Sequence, residues 1–187
     1  MMKFIVSSQL LSKNLQNVCG IITTNKNMPI VENVLFTVEG NMLTLTATDL
    51  ETTVSSQIEL SESEGDGSIV IPAKLIVETI KSLADIPVIF TINDDYSIEI
   101  SAGDGFYNLM GWDADQFPEK SELGNSTAIQ ISSEHLSNAI SKTAFATGSA
   151  EMRPVMAGVY CQLFPENIVF VATDAHRLVK YNNKSVK

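Results

Sequence analysis

Residues 7 to 49 of this chain recur, without a gap, 125 positions downstream as residues 132 to 174. Ser7, Ser8, Leu11 and Ser12 return as Ser132, Ser133, Leu136 and Ser137. Pro29 returns as Pro154, Val34 as Val159, and Ala47-Thr48-Asp49 as Ala172-Thr173-Asp174. Nine identities fall in 43 aligned positions, where ordinary composition gives about three. Apolar character is kept as well, Leu35 matching Tyr160, Leu43 matching Ile168 and Leu45 matching Phe170. A repeat of this length duplicates a domain, not a solenoid unit. The expected organisation is a complete first domain over residues 1–124 and the first half of a second over residues 125–187. On that reading the chain is a fragment of something longer.

A finer repeat lies inside the first unit. Phe4-Ile5-Val6 is a short apolar strand that leads into Leu11, Leu15 and Val18, spaced as one helical face. Ile69-Val70-Ile71 leads in the same way into Ile76, Ile80 and Leu83, and Ile129-Gln130-Ile131 into Leu136 and Ile140. The serines before the first and third patterns suit helix N-caps, and Pro72 suits a helix start. After each complete helix come three strand-like runs, at 31–39, 42–48 and 52–59, then at 87–92, 96–101 and 105–111. Turn residues such as Asn93-Asp94-Asp95 and Gly103-Asp104-Gly105 separate them. Short strands joined by tight turns pair antiparallel. The unit reads as strand, helix, three strands, performed twice: an α+β fold with internal two-fold repetition. Residues 60–68 read as an acidic, solvated connector, because the ligand spacing of a calcium loop is absent.

The apolar content of 44% with 18% charged residues is that of a globular chain. No run reaches the ~18 apolar residues of a membrane span, and the N-terminus lacks a secretory pattern. Cys19 and Cys161 stand in no metal-like spacing and read as buried, reduced thiols. The expected compartment is the cytoplasm, with no membrane partner.

The net charge is −10, which weighs against indiscriminate binding of nucleic acid by the whole surface. The distribution is uneven. The helices expected at 8–20, 73–83 and 133–145 carry Lys13, Lys74, Lys81 and Lys142 against Glu78 and Glu134. Each is expected to lay its apolar stripe on a sheet and turn an amide-and-lysine face outward. For one helix alone that is an ordinary solvated face. Three related helices leaning positive in an acidic chain form a surface that can take phosphate while the remainder repels it.

Catalytic constellations do not present themselves. Asp174-Ala175-His176 offers a carboxylate and an imidazole, but a catalytic zinc needs a third ligand and none clusters in the sequence. No P-loop, dinucleotide fingerprint or nucleophile elbow occurs, so no metal, cofactor or catalytic residue is expected. The segment from Thr173 to Leu178 still concentrates unusual chemistry. Thr173 and Asp174 repeat Thr48 and Asp49 and read as turn formers. His176, Arg177 and Leu178 occur only in the second copy and read as functional additions.

Six elements in this order carry a family resemblance. They are Met2-Lys3-Phe4, Met28-Pro29-Ile30, Thr48-Asp49-Leu50-Glu51, Ile71-Pro72-Ala73-Lys74, Asp115-Gln116-Phe117-Pro118 and Ala172-Thr173-Asp174-Ala175-His176-Arg177-Leu178. The chain resembles the N-terminal half of the bacterial DNA polymerase III beta subunit family, the sliding clamps, from Met2 to about Tyr181. The resemblance implies the DNA-clamp fold, helices packed on antiparallel sheets, and a head-to-tail homodimeric ring around duplex DNA. It implies a non-catalytic processivity factor that tethers polymerase III subunits, is opened by a clamp loader, and receives other proteins through short clamp-binding motifs. A peptide-binding adaptor of the same fold that never encircles DNA is the alternative.

By matching positions, the implied partner-peptide pocket holds Met156, Thr173, Ala175, His176, Arg177 and Leu178. Ala175 stands where glycine is common in the family, and its methyl should narrow the groove. The implied dimer interface holds Lys74, Tyr107 and Leu109. The implied DNA contacts are Lys13, Lys26, Lys74, Lys81, Lys142 and Arg153, with Asn25 where many relatives have arginine and Lys26 as its substitute.

Overall fold

The computed structural model describes all residues except 23–27, 120–123, 125–128, 150–152 and 184–187. The chain divides into two compact units, Met1–Glu122 and Leu123–Lys187.

The first unit opens with β1 (Met2–Ser7), α1 (Ser8–Val18), β2 (Asn33–Glu39), β3 (Met42–Thr48) and β4 (Thr53–Glu59). It continues with β5 (Glu62–Glu64), β6 (Gly67–Pro72), α2 (Ala73–Lys81), β7 (Pro87–Ile92), β8 (Ser97–Ala102), β9 (Gly105–Met110) and β10 (Trp112–Asp113). All pairings are antiparallel, and the strands form two five-stranded sheets, β5-β1-β7-β8-β9 and β10-β6-β2-β3-β4. The two halves exchange their leading strands. β1 joins the sheet built from β7 to β9, and β6 joins the sheet built from β2 to β4.

Side-chain alternation decides which face each strand buries. Met2, Phe4 and Val6 of β1 point inward, as do Val34, Phe36 and Val38 of β2. Leu11, Leu15 and Val18 of α1 and Ile76 and Ile80 of α2 pack into the same core. Phe90 joins the two sheets. Its ring stacks on Phe4 at a centroid distance of 4.8 Å and meets Phe36 at 6.2 Å.

Helix starts follow the expected chemistry. The Ser7 hydroxyl accepts from the Leu10 amide at 3.3 Å, and the Ser132 hydroxyl accepts from the His135 amide at 3.2 Å. α2 begins behind Pro72 with no side-chain cap. Ser8 adds a tether, donating to the Ala84 carbonyl and accepting from the Ile86 amide. That ties the start of α1 to the approach of β7.

The second unit contains α3 (Ser133–Ser141), β11 (Tyr160–Leu163), β12 (Ile168–Thr173) and β13 (Leu178–Asn183), the strands forming one antiparallel sheet. Ala139, Ile168 and Phe170 form its small core.

Several expectations need correction. Ile129-Gln130-Ile131 is not a strand. Its counterpart β1 is held by β5 and β7, and the described residues of the second unit contain no such partners. Residues 60–68 are not a plain connector, because Glu62–Glu64 pairs with β1. The three helices end at Val18, Lys81 and Ser141, two to four residues early, with 3-10 turns at Cys19–Ile21 and Ala144–Ala146. Leu136 and Ile140 do not form a buried stripe on α3; both are exposed, and Ala139 is the buried residue of that helix.

The strand β11 is likewise less covered than its counterpart. Its counterpart β2 lies between β3 and β6, whereas β11 pairs only with β12 among the described residues. Tyr160, Cys161, Gln162 and Leu163 are consequently all exposed. Cys161 is therefore an exposed free thiol, not a buried one, and Cys19 is half-buried. Burial pushes the Cys19 thiol up to about 11.

Phe90→Ala would remove the ring shared by both sheets of the first unit. The expected loss is about 3–5 kcal/mol of stability. Urea denaturation followed through Trp112, the only tryptophan in the chain and a residue of this unit, measures it.

Candidate functional site

The two copies of Thr-Asp build the same turn. The Thr48 hydroxyl donates to the Thr52 carbonyl at 3.0 Å and accepts from the Leu50 amide at 3.1 Å. The Thr173 hydroxyl donates to the Arg177 carbonyl at 2.7 Å and accepts from the Ala175 amide at 3.1 Å. Asp49 accepts from the amides of Glu51 and Thr52, and Asp174 from those of His176 and Arg177. The third residue of each turn is left-handed, Leu50 at φ 78° and Ala175 at φ 75°. Glycine reaches that region without steric cost, whereas leucine and alanine do not.

Beyond this frame the second copy differs. The Arg177 guanidinium donates through Nε to Asp174 Oδ2 at 2.9 Å and through Nη2 to the Phe145 carbonyl at 2.7 Å. It also lies over the Phe145 ring, 5.7 Å from the centroid. Arg177 has a structural part beside the role expected of it. Its backbone closes the shared turn, and its side chain fastens that turn to the 3-10 turn at Ala144–Ala146. The guanidinium of the implied pocket is thus already paired with a carboxylate.

Met156 reaches the same place by another route. The Gly148 amide donates to the Met156 carbonyl at 2.8 Å. A Cβ on Gly148 would sit 3.5 Å from Met156 Cβ and 3.7 Å from Asp174 Cα. Asp174, Arg177 and Met156 are therefore gathered around the 144–148 segment, with Thr173 bonded to Arg177 in the turn. Ala175, His176 and Leu178 are exposed beside them, Leu178 at 65%. Phe145 and Gly148 were not legible as site residues, since neither belongs to a recognisable motif.

The expected DNA contacts separate by unit. α1 and α2 pack side by side, and Lys13 and Lys81 line one groove of about 360 Å³ between them, with Ser12, Gln16 and Asp85. Lys74 lines another hollow of about 400 Å³ with Pro29, Pro72, Trp112 and Gln116. In the second unit Lys142 Nζ stands 5.0 Å from the centroid of the Tyr181 ring. Arg153 is exposed and approaches the Met156 sulfur at 4.0 Å. Asn25 and Lys26 lie outside the described residues.

Tyr107 and Leu109 lie on β9, an edge strand, but their side chains are half-buried against the core. Phe106, Asn108 and Met110 are the β9 residues that face outward, Phe106 at 79% exposure. Among the described residues no three His, Cys, Asp or Glu side chains gather as a metal site, and no helix is long and apolar enough to cross a membrane.

Comparison with known proteins gives a consistent result. The family described as DNA polymerase III beta subunit, N-terminal domain, matches residues 2–121, and its central-domain counterpart matches residues 130–185. The beta sliding clamp of Staphylococcus epidermidis is 31% identical over 185 residues, covering 95% of this chain and 49% of the relative. That of Haemophilus influenzae is 31% identical over 178 residues, covering 95% and 48%. A DNA polymerase sliding clamp from Pseudomonas aeruginosa, solved with a ligand, superposes with a TM-score of 0.92 at 29% identity, covering 100% of this chain and 50% of the other. One from Bacillus subtilis gives 0.91 at 29% identity, covering 98% and 50%. The chain thus spans about half the length of the curated relatives it matches.

The turn carries a pH prediction. The amides of Arg177 and His176, with the guanidinium of Arg177 adding to them, hold the Asp174 carboxyl below its ordinary value. A carboxyl lowered in the fold contributes stability above its unfolded value and loses it as pH falls through the folded one. An NMR titration should find Asp174 below the usual carboxylate range. The amides of His176 and Arg177 should lose protection from exchange as that group protonates.

Proposed function

We propose that this chain, which belongs to the DNA polymerase III beta subunit family, is the N-terminal half of a ring-shaped processivity clamp. Residues 1–124 are read as a complete clamp domain and residues 125–187 as the first half of the next. The ring is a homodimer that encircles duplex DNA without regard to sequence. It performs no catalysis, acts in the cytoplasm, and tethers polymerase III subunits and other motif-bearing proteins once a clamp loader has opened it to admit DNA.

The observation that carries the DNA side of this reading is the placement of Lys13 and Lys81 on one groove between paired helices. Phosphate contacts of this kind are sequence-independent and salt-sensitive. Lys74, Lys142, Arg153 and the Asn25-Lys26 pair are the further candidates. The partner side rests on the exposed Leu178 and the half-buried Met156, with His176, Arg177 and the Thr173–Ala175 backbone as the further candidates. Tyr107 and Leu109, with Lys74, remain the candidates for the dimer interface, and the outward Phe106 joins them.

In the full-length protein, the triple substitution of Lys13, Lys81 and Lys142 by glutamate should shorten retention on circular DNA after loading. It should also flatten the salt dependence by about one unit of slope for each phosphate that is no longer neutralised. Retention equal to that of the unaltered ring would remove these lysines from the channel. An adaptor that never encircles DNA would show no difference between circular and linear templates.

Leu178→Ala should weaken a partner peptide about ten-fold, the loss of one ~1.4 kcal/mol anchor. A peptide titration with a thermal melt as companion measures this, the melt staying unchanged because Leu178 is largely in solvent.

A further inference from the structure

Phe145 belongs to none of the recognisable motifs, yet the arginine of the proposed pocket is fastened to it twice. The Phe145 carbonyl accepts from Arg177 Nη2 at 2.7 Å, and the guanidinium carbon lies 5.7 Å from its ring centroid. Arg177 is itself held, because its Nε donates to Asp174 Oδ2 at 2.9 Å. The other carboxylate oxygen accepts from the amides of His176 and Arg177. A continuous set of bonds therefore runs from the shared turn, through carboxylate and guanidinium, to residue 145. Even so, Phe145 is 58% exposed. The first copy has Gly20 at the matching position, so the ring comes with the second copy, like His176, Arg177 and Leu178.

We infer that Phe145 forms an aromatic wall of the partner-peptide groove, with Arg177 as the positioning residue that holds the ring in place before a peptide arrives. This rests on the peptide-pocket reading above and names a specificity-determining residue within it. The occupant is the leucine or phenylalanine side chain of a partner peptide, packed against the part of the ring that the guanidinium leaves open. A pre-placed aromatic is the kind of group that dominates binding, because its ordering cost is met in the free protein. The flat guanidinium suits this task where a lysine does not. It bonds a carboxylate and a carbonyl at once while lying over a ring, and an ammonium lacks that planar fork.

The test uses full-length protein and a short fluorescein-labelled peptide containing adjacent leucine and phenylalanine, titrated by fluorescence anisotropy. Phe145→Ala should weaken binding about ten-fold, whereas Phe145→Trp should keep it and report peptide addition by a shift in indole emission. Arg177→Lys should also weaken binding. The pair Arg177→Lys with Phe145→Ala should bind no worse than Phe145→Ala alone, because both changes act on the same ring. Leu178→Ala is the separate control for the pocket. If Leu178→Ala weakens binding while Phe145→Ala binds normally and the indole emission stays still, the wall assignment is overturned and the pocket stands. If Leu178→Ala also binds normally, the pocket reading fails and takes this inference with it. Additive effects of the Arg177 and Phe145 changes would overturn the positioning role. Should Phe145→Ala fail to fold, Phe145→Leu keeps the volume without the aromatic face, and unaltered binding by it would overturn the inference.

Discussion

The exchange of leading strands between the two halves of the first unit is the constraint on which its other features depend. β1 completes the sheet of the second half, and β6 completes that of the first. Neither half can then bury its apolar face alone. Phe4 needs Phe90, eighty-six positions away in the chain, and Val34 needs Ile71 across the β2–β6 ladder. Burying each such side chain is worth about 1.5–3 kcal/mol, so the exchange commits both halves to fold together. The second unit shows what happens without it. β11 keeps one neighbour among the described residues, and side chains matching the buried Phe36 and Val38 lie in solvent as Cys161 and Leu163.

The Thr-Asp turn survives in both units with the same four side-chain bonds. Each copy holds a non-glycine residue at positive φ, a conformation that costs about 1–2 kcal/mol. Four hydrogen bonds from the threonine and aspartate offset it, at about 0.5–1.5 kcal/mol each. That surplus makes the turn a rigid base. The first copy carries Leu50, Glu51 and Thr52 on it, and the second carries Ala175, His176 and Arg177. The difference between the copies is one of side chains on a common frame, which is how a structural repeat acquires a site on one of its members.

The strands of the first unit were legible because they alternate, and eight of them fall within two residues of the runs expected from sequence. β5 was not, because Glu62-Ser63-Glu64 has no apolar alternation; register with Lys3 to Ile5 creates it. Ile129 to Ile131 failed in the opposite direction. The pattern there is sound, but a strand needs a neighbour, and pairing is a property of the fold and not of the segment. Leu136 and Ile140 misled for the same reason, since helical spacing identifies a stripe without guaranteeing a surface beneath it. In the site, the turn residues and Leu178 could be read from repetition and motif. Phe145 could not, because its importance lies in a contact 32 positions away that only the folded chain makes.

The two edges of the sheet that contains β1 are treated differently, and the contrast bears on assembly. Edge strands invite pairing with other chains, and charge is a common means of preventing it. β5 follows that rule, with Glu62 and Glu64 exposed on a short strand. β9 does not: Phe106 and Met110 face solvent along a six-residue edge, while Tyr107 and Leu109 anchor the strand to the core. An acidic surface elsewhere does little to protect this edge, because charges beyond about 8 Å are largely screened at physiological salt. The sheet thus has one charged edge and one apolar edge. On the proposed head-to-tail ring, the apolar edge is the one a partner subunit would cover. Tyr107 and Leu109 then set the position of the edge, and Phe106 and Met110 supply the apolar surface a partner would cover.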